Sequence, residues 1–264
     1  GALAALVTVL AVIGTTPYVA LQLQSVTLSF SVFADPGEFA ALGTDTTAVW
    51  VAGGLALFTI IFGTRSLDVN ERHPGLVSAI ALEAIVKLAA LLAVGVFVVW
   101  GVAEGPADIL ARIDESPISE WTSNGARWVG LTTLSAAAIL CLPRMFQVLV
   151  VENANEGHLA TASWAFPLYL LLMSLFVLPI AVVGLQVLPE GANPDLYVLT
   201  LPLAFDQDML ALLVFLGGFS SATSMVIVAA IALSTMVSNH IVMPIWLRLM
   251  GGGALMSGDL RHVV

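Results

Sequence analysis

The chain has 264 residues, of which 59% are hydrophobic and 10% are charged, and its formal net charge is −10. Soluble domains carry about 45–50% apolar and about 25% charged residues, so this composition excludes a water-soluble enzyme and a disordered chain. The negative charge argues against a nucleic-acid partner, and a single cysteine excludes a disulfide framework and a cysteine-based metal cluster. What remains is an integral membrane protein whose surroundings are the lipid bilayer.

Six apolar stretches, each nearly free of charge, are long enough to cross a bilayer as helices. A hydrocarbon core about 30 Å thick needs about 20 apolar residues per helix, and the alternating polarity of barrel strands is absent from this sequence. The predicted spans, in chain order, are about 3–28, 47–64, 76–103, 128–151, 161–188 and 209–247. We therefore expect an all-α fold, a polytopic membrane helix bundle that forms a single domain.

The two ends of the chain carry further expectations. Gly1 already lies inside an apolar stretch and no initiator Met precedes it, so we expect the chain to be part of a longer protein. The last span, 209–247, would extend roughly 58 Å as a helix at about 1.5 Å per residue. It must therefore either project beyond the bilayer or bend near Gly217 and Gly218.

Charges in the loops predict the orientation. The loops on one face of the bilayer, called side A, are 35–45, 104–127 and 190–208. Those on the other face, side B, are 65–72, 152–156 and the tail from Arg248. Side A is acidic and holds only Arg112 and Arg127, whereas side B holds four arginines: Arg65, Arg72, Arg248 and Arg261. Since short basic loops stay in the cytoplasm, side B and both chain ends are predicted to be cytoplasmic.

The third span contains an intramembrane charge pair, Glu83 and Lys87. They stand four residues apart on one helix face, with the acid first, which is the favourable order. Ionisable residues inside a membrane are costly and are functional candidates by default. The structural alternatives are that the two charges neutralise each other and snorkel, or that they line a packed bundle interior.

The fourth span contains Pro143 and Arg144. Proline has no backbone N–H and disfavours helical geometry at Leu142, so a break in the helix is expected there. A break frees carbonyl groups that can bind a polar solute, and the forked donors of Arg144 can hold a carboxylate. The alternative is that Arg144 marks the cytoplasmic end of the span. Gln147 follows one turn later.

Polar residues also occur in the first and sixth spans. Tyr18 and Gln22 can line a cavity or hydrogen-bond between helices. Ser220, Thr223 and Ser224 share one helix face and offer a carbonyl and two hydroxyls, the oxygen ligands that hard cations prefer. The alternatives for this face are small-residue packing and hydroxyls bonded back to their own helix. His240, near the cytoplasmic mouth, is expected to be a solvated cap.

Sequence motifs for catalysis are not found in the chain. It contains no glycine-rich phosphate loop, no HExxH and no convincing Ser/His/Asp arrangement in a loop. We therefore expect no enzymatic chemistry and no catalytic residue in this segment.

Three runs carry a family resemblance: FGTRSLDVNERHPGLVSAIALEAIVKL at 62–88, CLPRMFQVLVVENANEGHLATASWAFPLYL at 141–170 and FLGGFSSATSMVIVAAIALSTMVSNHIVMP at 215–244. The chain resembles the sodium/solute symporter family, which includes relatives of the sodium/proline and sodium/glucose symporters. Within it, the chain is most similar to the symporter-type membrane domain of bacterial sensor histidine kinases. The resemblance extends over essentially the whole chain.

The resemblance implies a partial inverted-repeat fold of the leucine-transporter type in a bacterial inner membrane. The six spans would be about core helices three to eight. Core helix one would precede Gly1, and core helices nine and ten would follow Val264. The same resemblance implies a sodium site between core helices one and eight, of which Ser220, Thr223 and Ser224 would be one half. Substrate contacts are expected from Tyr18, Gln22, Arg144 and Gln147.

Two functions follow from the resemblance. The first is sodium-coupled secondary transport of a small polar solute by alternating access, with an amino acid as the preferred solute. The second is solute sensing by the membrane domain of a sensor histidine kinase, with the kinase fused or associated as a partner.

Overall fold

The computed structural model of the chain describes residues 1–33, 44–62, 74–120, 122 and 124–249. Helix covers 89% of these residues, and no strand occurs among them. The all-helical class predicted from composition and span length is therefore confirmed.

The helices follow one another with short connections in the described part of the chain. They are α1 Ala2–Phe33, α2 Thr44–Phe62, α3 Pro74–Val96, α4 Pro106–Asp114, α5 Gly125–Cys141, α6 Pro143–Phe146, α7 His158–Leu175, α8 Val177–Val187, α9 Tyr197–Ala204, α10 Asp208–Val237 and α11 Met243–Leu249. Three of them continue into wider, π-helical turns: α3 into Phe97–Val102, α6 into Gln147–Val151 and α10 into Ser238–Val242.

Four helical stretches are long and apolar enough to cross a membrane: Ala2–Phe33, Val77–Val102, His158–Val187 and Asp208–Leu247. The bent pair α5 and α6 makes a fifth if it is counted as one span. Helix α2, at the second predicted span, has a shorter apolar stretch, Thr46–Ile61. By the length and apolarity of its described helices, the chain is a multi-pass membrane protein.

The helix break predicted at Pro143 is confirmed. Helix α5 ends at Cys141, Leu142 takes an extended conformation with φ −74° and ψ 127°, and Pro143 begins α6. The two helices are bent by 54°. Proline at the first helical position needs no hydrogen-bond partner for its nitrogen, so the chain restarts as a helix directly after the break.

The last long helix has no break at Gly217 and Gly218. Helix α10 passes through both glycines without interruption, and Asp208–Leu247 forms one stretch of 40 residues. At about 1.5 Å per residue it reaches about 60 Å, roughly twice the hydrocarbon core. The structure thus has no helix break at the two glycines, and projection of this segment beyond the bilayer stays a prediction.

Helix α10 is the central element of the bundle. It packs against α1 and α3 along its length and also contacts α2, α6 and α9. The outer helices α5 and α7 have no fully buried residue, and large apolar side chains on them are open, with Leu140 79% and Leu171 64% exposed. Extended apolar surface of this kind requires an apolar surrounding, which the bilayer supplies.

The best-packed part of the bundle lies at its side-A end. There Val94, Val183, Leu201 and Ala211 are completely or almost completely buried within one apolar cluster. Two glycines admit aromatic rings into the packing, because the ring of Phe176 lies over Gly95 and that of Tyr197 over Gly184, where a Cβ atom would collide.

A polar network ties α4 to α8 on the same side. Arg112 Nε donates to Asp108 Oδ2 at 2.9 Å, and Arg112 Nη1 donates to Gln186 Oε1 at 2.9 Å. The hydrogen bond from Arg112, followed by one from the Glu104 backbone, holds the pKa of the Asp108 carboxyl below its usual value. Arg112, one of the two arginines on side A, is thus paired with the neighbouring carboxylate of Asp108.

Much of the orientation signal falls outside the described residues. The residues outside the described part of the chain are 34–43, 63–73, 121, 123 and 250–264, and the side chain of Arg248 is not described either. Arg65, Arg72 and Arg261 lie in these segments, so the cytoplasmic placement of side B stays a prediction.

Candidate functional site

Two charged side chains of α3 reach across to serines of α10. Lys87 Nζ donates to Ser221 Oγ at 2.8 Å, and Ser224 Oγ donates to Glu83 Oε1 at 2.8 Å. We call Glu83, Lys87, Ser221 and Ser224 the α3–α10 polar contact. The serines are buried and the charged side chains are half-buried, so the contact lies inside the bundle.

The spacing of residues along each helix creates this arrangement. Glu83 and Lys87 are one turn apart on α3, and Ser221 and Ser224 lie in one row of α10. Gly217 lies one turn before Ser221, and a Cβ atom there would come within 3.3 Å of Lys87 Cα. The absent side chain lets the two backbones approach closely enough for short polar side chains to bridge them.

The charged groups of Glu83 and Lys87 are not paired directly with each other. Arg112 and Asp108 form a salt bridge at 2.9 Å, but within the part of the chain that the structure describes Glu83 and Lys87 form no such bridge. Each is bound by a hydroxyl of α10 instead. Of the two structural alternatives for this pair, lining a packed bundle interior fits the geometry.

The residues predicted to bind sodium lie at the same place. Thr223 Oγ1 donates to the Ser220 carbonyl oxygen at 2.7 Å, and Ser224 Oγ lies 3.1 Å from the Ser221 carbonyl oxygen. Thr223 thus follows the back-bonding alternative, whereas the single hydroxyl hydrogen of Ser224 has the closer Glu83 Oε1 as its acceptor. The hydroxyl oxygens keep acceptor lone pairs, and Ser224 Oγ also contacts the Glu83 carboxylate. The structure therefore adds a carboxylate to the predicted set of neutral oxygens.

A second polar site joins α1 to the start of α6. The guanidinium carbon of Arg144 lies 3.7 Å from the centroid of the Tyr18 ring, which is a cation–π contact. Arg144 is half-buried, and its Nε atom is buried without a hydrogen-bond partner among the described residues. Two of the residues that the family resemblance implies as substrate contacts thus lie side by side.

The other two predicted substrate contacts are placed differently. Gln147 Nε2 donates to Glu152 Oε1 at 3.2 Å and lines a small apolar cavity with Val77 and Ile231. Gln22 is half-buried on α1, one turn beyond Tyr18. Within the described residues, no hydrogen bond joins the side chain of either glutamine to Arg144.

The expectation for His240 was wrong. Its Nδ1 lies 3.0 Å from Oγ1 of Thr8, which is fully buried on α1. Thr8 also donates to the Ala4 carbonyl oxygen at 2.9 Å, so its hydroxyl can accept a hydrogen from the histidine ring. The π-helical turn after α10 turns the imidazole towards α1, and His240 ties the two helices together instead of capping one in solvent.

Sequence reasoning missed Ser221 and the pairing of Glu83 with Ser224. Ser221 follows Ser220 directly and is not three or four residues from it, so the pattern that selects Ser220, Thr223 and Ser224 does not include it. A signal was available, because Gly217 and Ser221 are one turn apart and small residues in such a row mark a close helix crossing.

No family model, no curated protein and no solved structure matches this chain. The α3–α10 polar contact and the pairing of Arg144 with Tyr18 are therefore the features from which a function is inferred. Both place charged side chains at contacts between helices of a mainly apolar bundle.

Proposed function

We propose that the chain is the membrane domain of a sodium-coupled secondary transporter that carries a small polar solute, preferably an amino acid, by alternating access. In this proposal the fold is of the leucine-transporter type, and the described helices are part of its core helices three to eight. The observation that carries the proposal is Arg144, a half-buried cation directly after a helix break. Its Nε atom has no hydrogen-bond partner among the described residues.

An arginine in this position is costly unless an anion binds it. Placing an arginine within a membrane costs free energy, about 2.5–3.5 kcal/mol at the centre of a span and less near its ends, where the side chain can snorkel. The Tyr18 ring attracts the guanidinium through its face, and this leaves Nε free for a hydrogen bond. Nε and one terminal nitrogen form the fork that binds a carboxylate through both oxygens. An amino-acid carboxylate has this chemistry.

The helix break supports a binding site at this point in the bundle. Transporters build midplane sites from discontinuous helices, and irregular backbone within a membrane is tolerated where it lines a cavity. The 54° bend at Leu142 supplies such a discontinuity. An arginine that only marked the end of a span would not need the break beside it.

The hydroxyl face of α10 supports the second cargo, a sodium ion. The Ser220 carbonyl and the hydroxyls of Thr223 and Ser224 are hard oxygen donors, and the Glu83 carboxylate beside Ser224 supplies negative charge. Entry of sodium down its gradient would then drive uptake of the solute.

Uptake by the full-length protein in proteoliposomes tests the proposal. An inward sodium gradient, compared with an equal potassium gradient, is expected to drive accumulation of at least one radiolabelled amino acid. Arg144→Ala should reduce this uptake about tenfold or more, because a charge-assisted hydrogen bond contributes about 1.5–3 kcal/mol. Arg112→Ala is the matched control, since Arg112 lies on side A with its own partners, and it should transport normally.

Each outcome separates the parts of the proposal. Uptake that is equal with sodium and potassium would refute sodium coupling, and unchanged uptake by Arg144→Ala would return Arg144 to a structural role. Replacing both Thr223 and Ser224 with Ala should raise the sodium concentration for half-maximal uptake. If it does not, the sodium ligands have been misplaced.

A further inference from the structure

The Lys87 ammonium group is the cation of the α3–α10 polar contact. Its Nζ is 2.8 Å from Ser221 Oγ, and Ser224, one turn further on, bonds the Glu83 carboxylate at 2.8 Å. We propose that Lys87 is a tethered cation that competes with the coupling sodium ion for this contact. The inference rests on the proposed function, because it names the group that sodium must displace.

The charge balance of the contact makes the two cations mutually exclusive. Glu83 is the carboxylate that faces this part of α10, and it can compensate one monovalent cation. Lys87 and a sodium ion bound together would leave one positive charge uncompensated in an apolar bundle, which is strongly unfavourable. Binding of sodium next to Glu83 therefore requires the ammonium group to withdraw.

The geometry allows this withdrawal. Within the described residues the Lys87 ammonium hydrogen-bonds one acceptor, Ser221 Oγ, and makes no salt bridge to Glu83. Lysine carries its charge on a flexible four-carbon stem with three donors, and the side chain is only half-buried. Withdrawal breaks one hydrogen bond and moves the ammonium group away from Glu83, whose charge the bound sodium ion then compensates.

The competing interpretation is that Lys87 simply pins α3 to α10. The two interpretations predict different effects on sodium affinity when Ser221 is replaced. If Lys87 is a pin, removing the Ser221 hydroxyl lowers stability and leaves sodium affinity unchanged. If Lys87 is a competitor, Ser221→Ala weakens the anchored ammonium and tightens sodium binding, whereas Ser224→Ala removes a sodium ligand and weakens it.

Sodium binding to the purified full-length protein provides the test. Sodium chloride is titrated against choline chloride at constant ionic strength, and the rise in unfolding temperature gives the apparent Kd. Ser221→Ala is expected to lower this Kd about threefold to tenfold, the range that one hydrogen bond supports. Ser224→Ala should raise the Kd by a similar factor. Ser234→Ala is the control, since Ser234 is exposed on α10 and its hydroxyl donates to the Ile231 carbonyl oxygen at 2.9 Å, its one side-chain hydrogen bond among the described residues.

A second variant checks the charge itself. Lys87→Gln keeps a polar side chain and removes the cation, so its sodium Kd should fall further than that of Ser221→Ala. Should Lys87→Gln not fold because Glu83 is left without a counter-charge, the opposite signs at Ser221 and Ser224 still decide the question.

Two results would overturn the inference. A Ser221→Ala protein that binds sodium as weakly as the wild type, or more weakly, makes Lys87 a structural pin and leaves sodium coupling intact. If neither the wild type nor any variant is stabilised by sodium relative to choline, both the competition and the proposed sodium coupling fail.

Discussion

Gly217 and Gly218 are adjacent in α10 but have opposite surroundings. A Cβ atom at Gly217 would lie 3.3 Å from the Lys87 backbone, whereas one at Gly218 would have no neighbour within 4 Å. We expect Gly217→Ala to push α10 away from α3 and to destabilise the protein by about 1–3 kcal/mol. Gly218→Ala should stabilise it by up to about 1 kcal/mol, because alanine favours helix over glycine.

Thermal unfolding of the two variants in detergent checks this difference. The two substitutions are identical in chemistry and one residue apart. The unfolding temperature of Gly217→Ala is therefore compared with those of the wild-type protein and of Gly218→Ala. Equal stability of the two variants would mean that α3 and α10 are not in close contact at this point. That result would remove the geometric basis of the α3–α10 polar contact.

At the residue scale, the sequence predicts which polar side chains are functional candidates. It predicts less well which residues those side chains contact. The helical spacing of Ser220, Thr223 and Ser224 is a local property and can be found by counting residues. The partners of the serines depend on how α3 is rotated against α10, which is a tertiary property. For the same reason Tyr18 and Arg144 could be chosen as candidates, but their contact across 126 positions of sequence could not be foreseen.

Pro143 determines the bend between α5 and α6 in our interpretation. Pro143→Ala restores a backbone N–H and removes the steric restriction on Leu142, so the two helices should join into a straighter one. Spin labels introduced by Leu131→Cys and Val150→Cys, in a Cys141→Ser background, should then move apart by about 3 Å, given a rise of about 1.5 Å per residue. Electron–electron distance measurements on the full-length protein check this.

Pro167→Ala is the control for the bend, because Pro167 lies inside the continuous helix α7 and its replacement should leave the label distance unchanged. An unchanged distance in Pro143→Ala would contradict our interpretation. The bend would then be imposed by the packing of α6 on α10, and the site at Arg144 would not depend on the proline.

Among the elements, those with a local chemical cause could be predicted. The break at Leu142 follows from proline itself, and the long spans follow from the absence of charge. The π-helical turns Phe97–Val102, Gln147–Val151 and Ser238–Val242 could not, because no residue type specifies them. Nor could the uninterrupted passage of α10 through Gly217 and Gly218, because a glycine in a helix does not by itself decide whether the helix breaks.

For the whole molecule, composition and the distribution of charge are enough to predict a polytopic helical bundle. They do not indicate that α10 is its central helix, since every span is similarly apolar. The difference lies in the small residues of α10, among them Gly217, Ser221 and Ser224, which let neighbours approach from several directions. The central position of α10 thus depends on the size of its side chains, which mean hydropathy does not measure.

Orientation is the whole-molecule property that the loops predict, with side B in the cytoplasm. Glu120 on side A and Glu156 on side B are both exposed, so Glu120→Cys and Glu156→Cys form a matched pair. Each is made in the full-length protein with Cys141→Ser and no other reactive cysteine. In intact cells a membrane-impermeant maleimide should label Glu120→Cys and not Glu156→Cys, whereas permeabilised cells should label both. The positive-inside preference predicts this pattern. The reverse pattern would place side A in the cytoplasm, and a sodium ion entering the cell would then reach the bundle first from the Glu156 side.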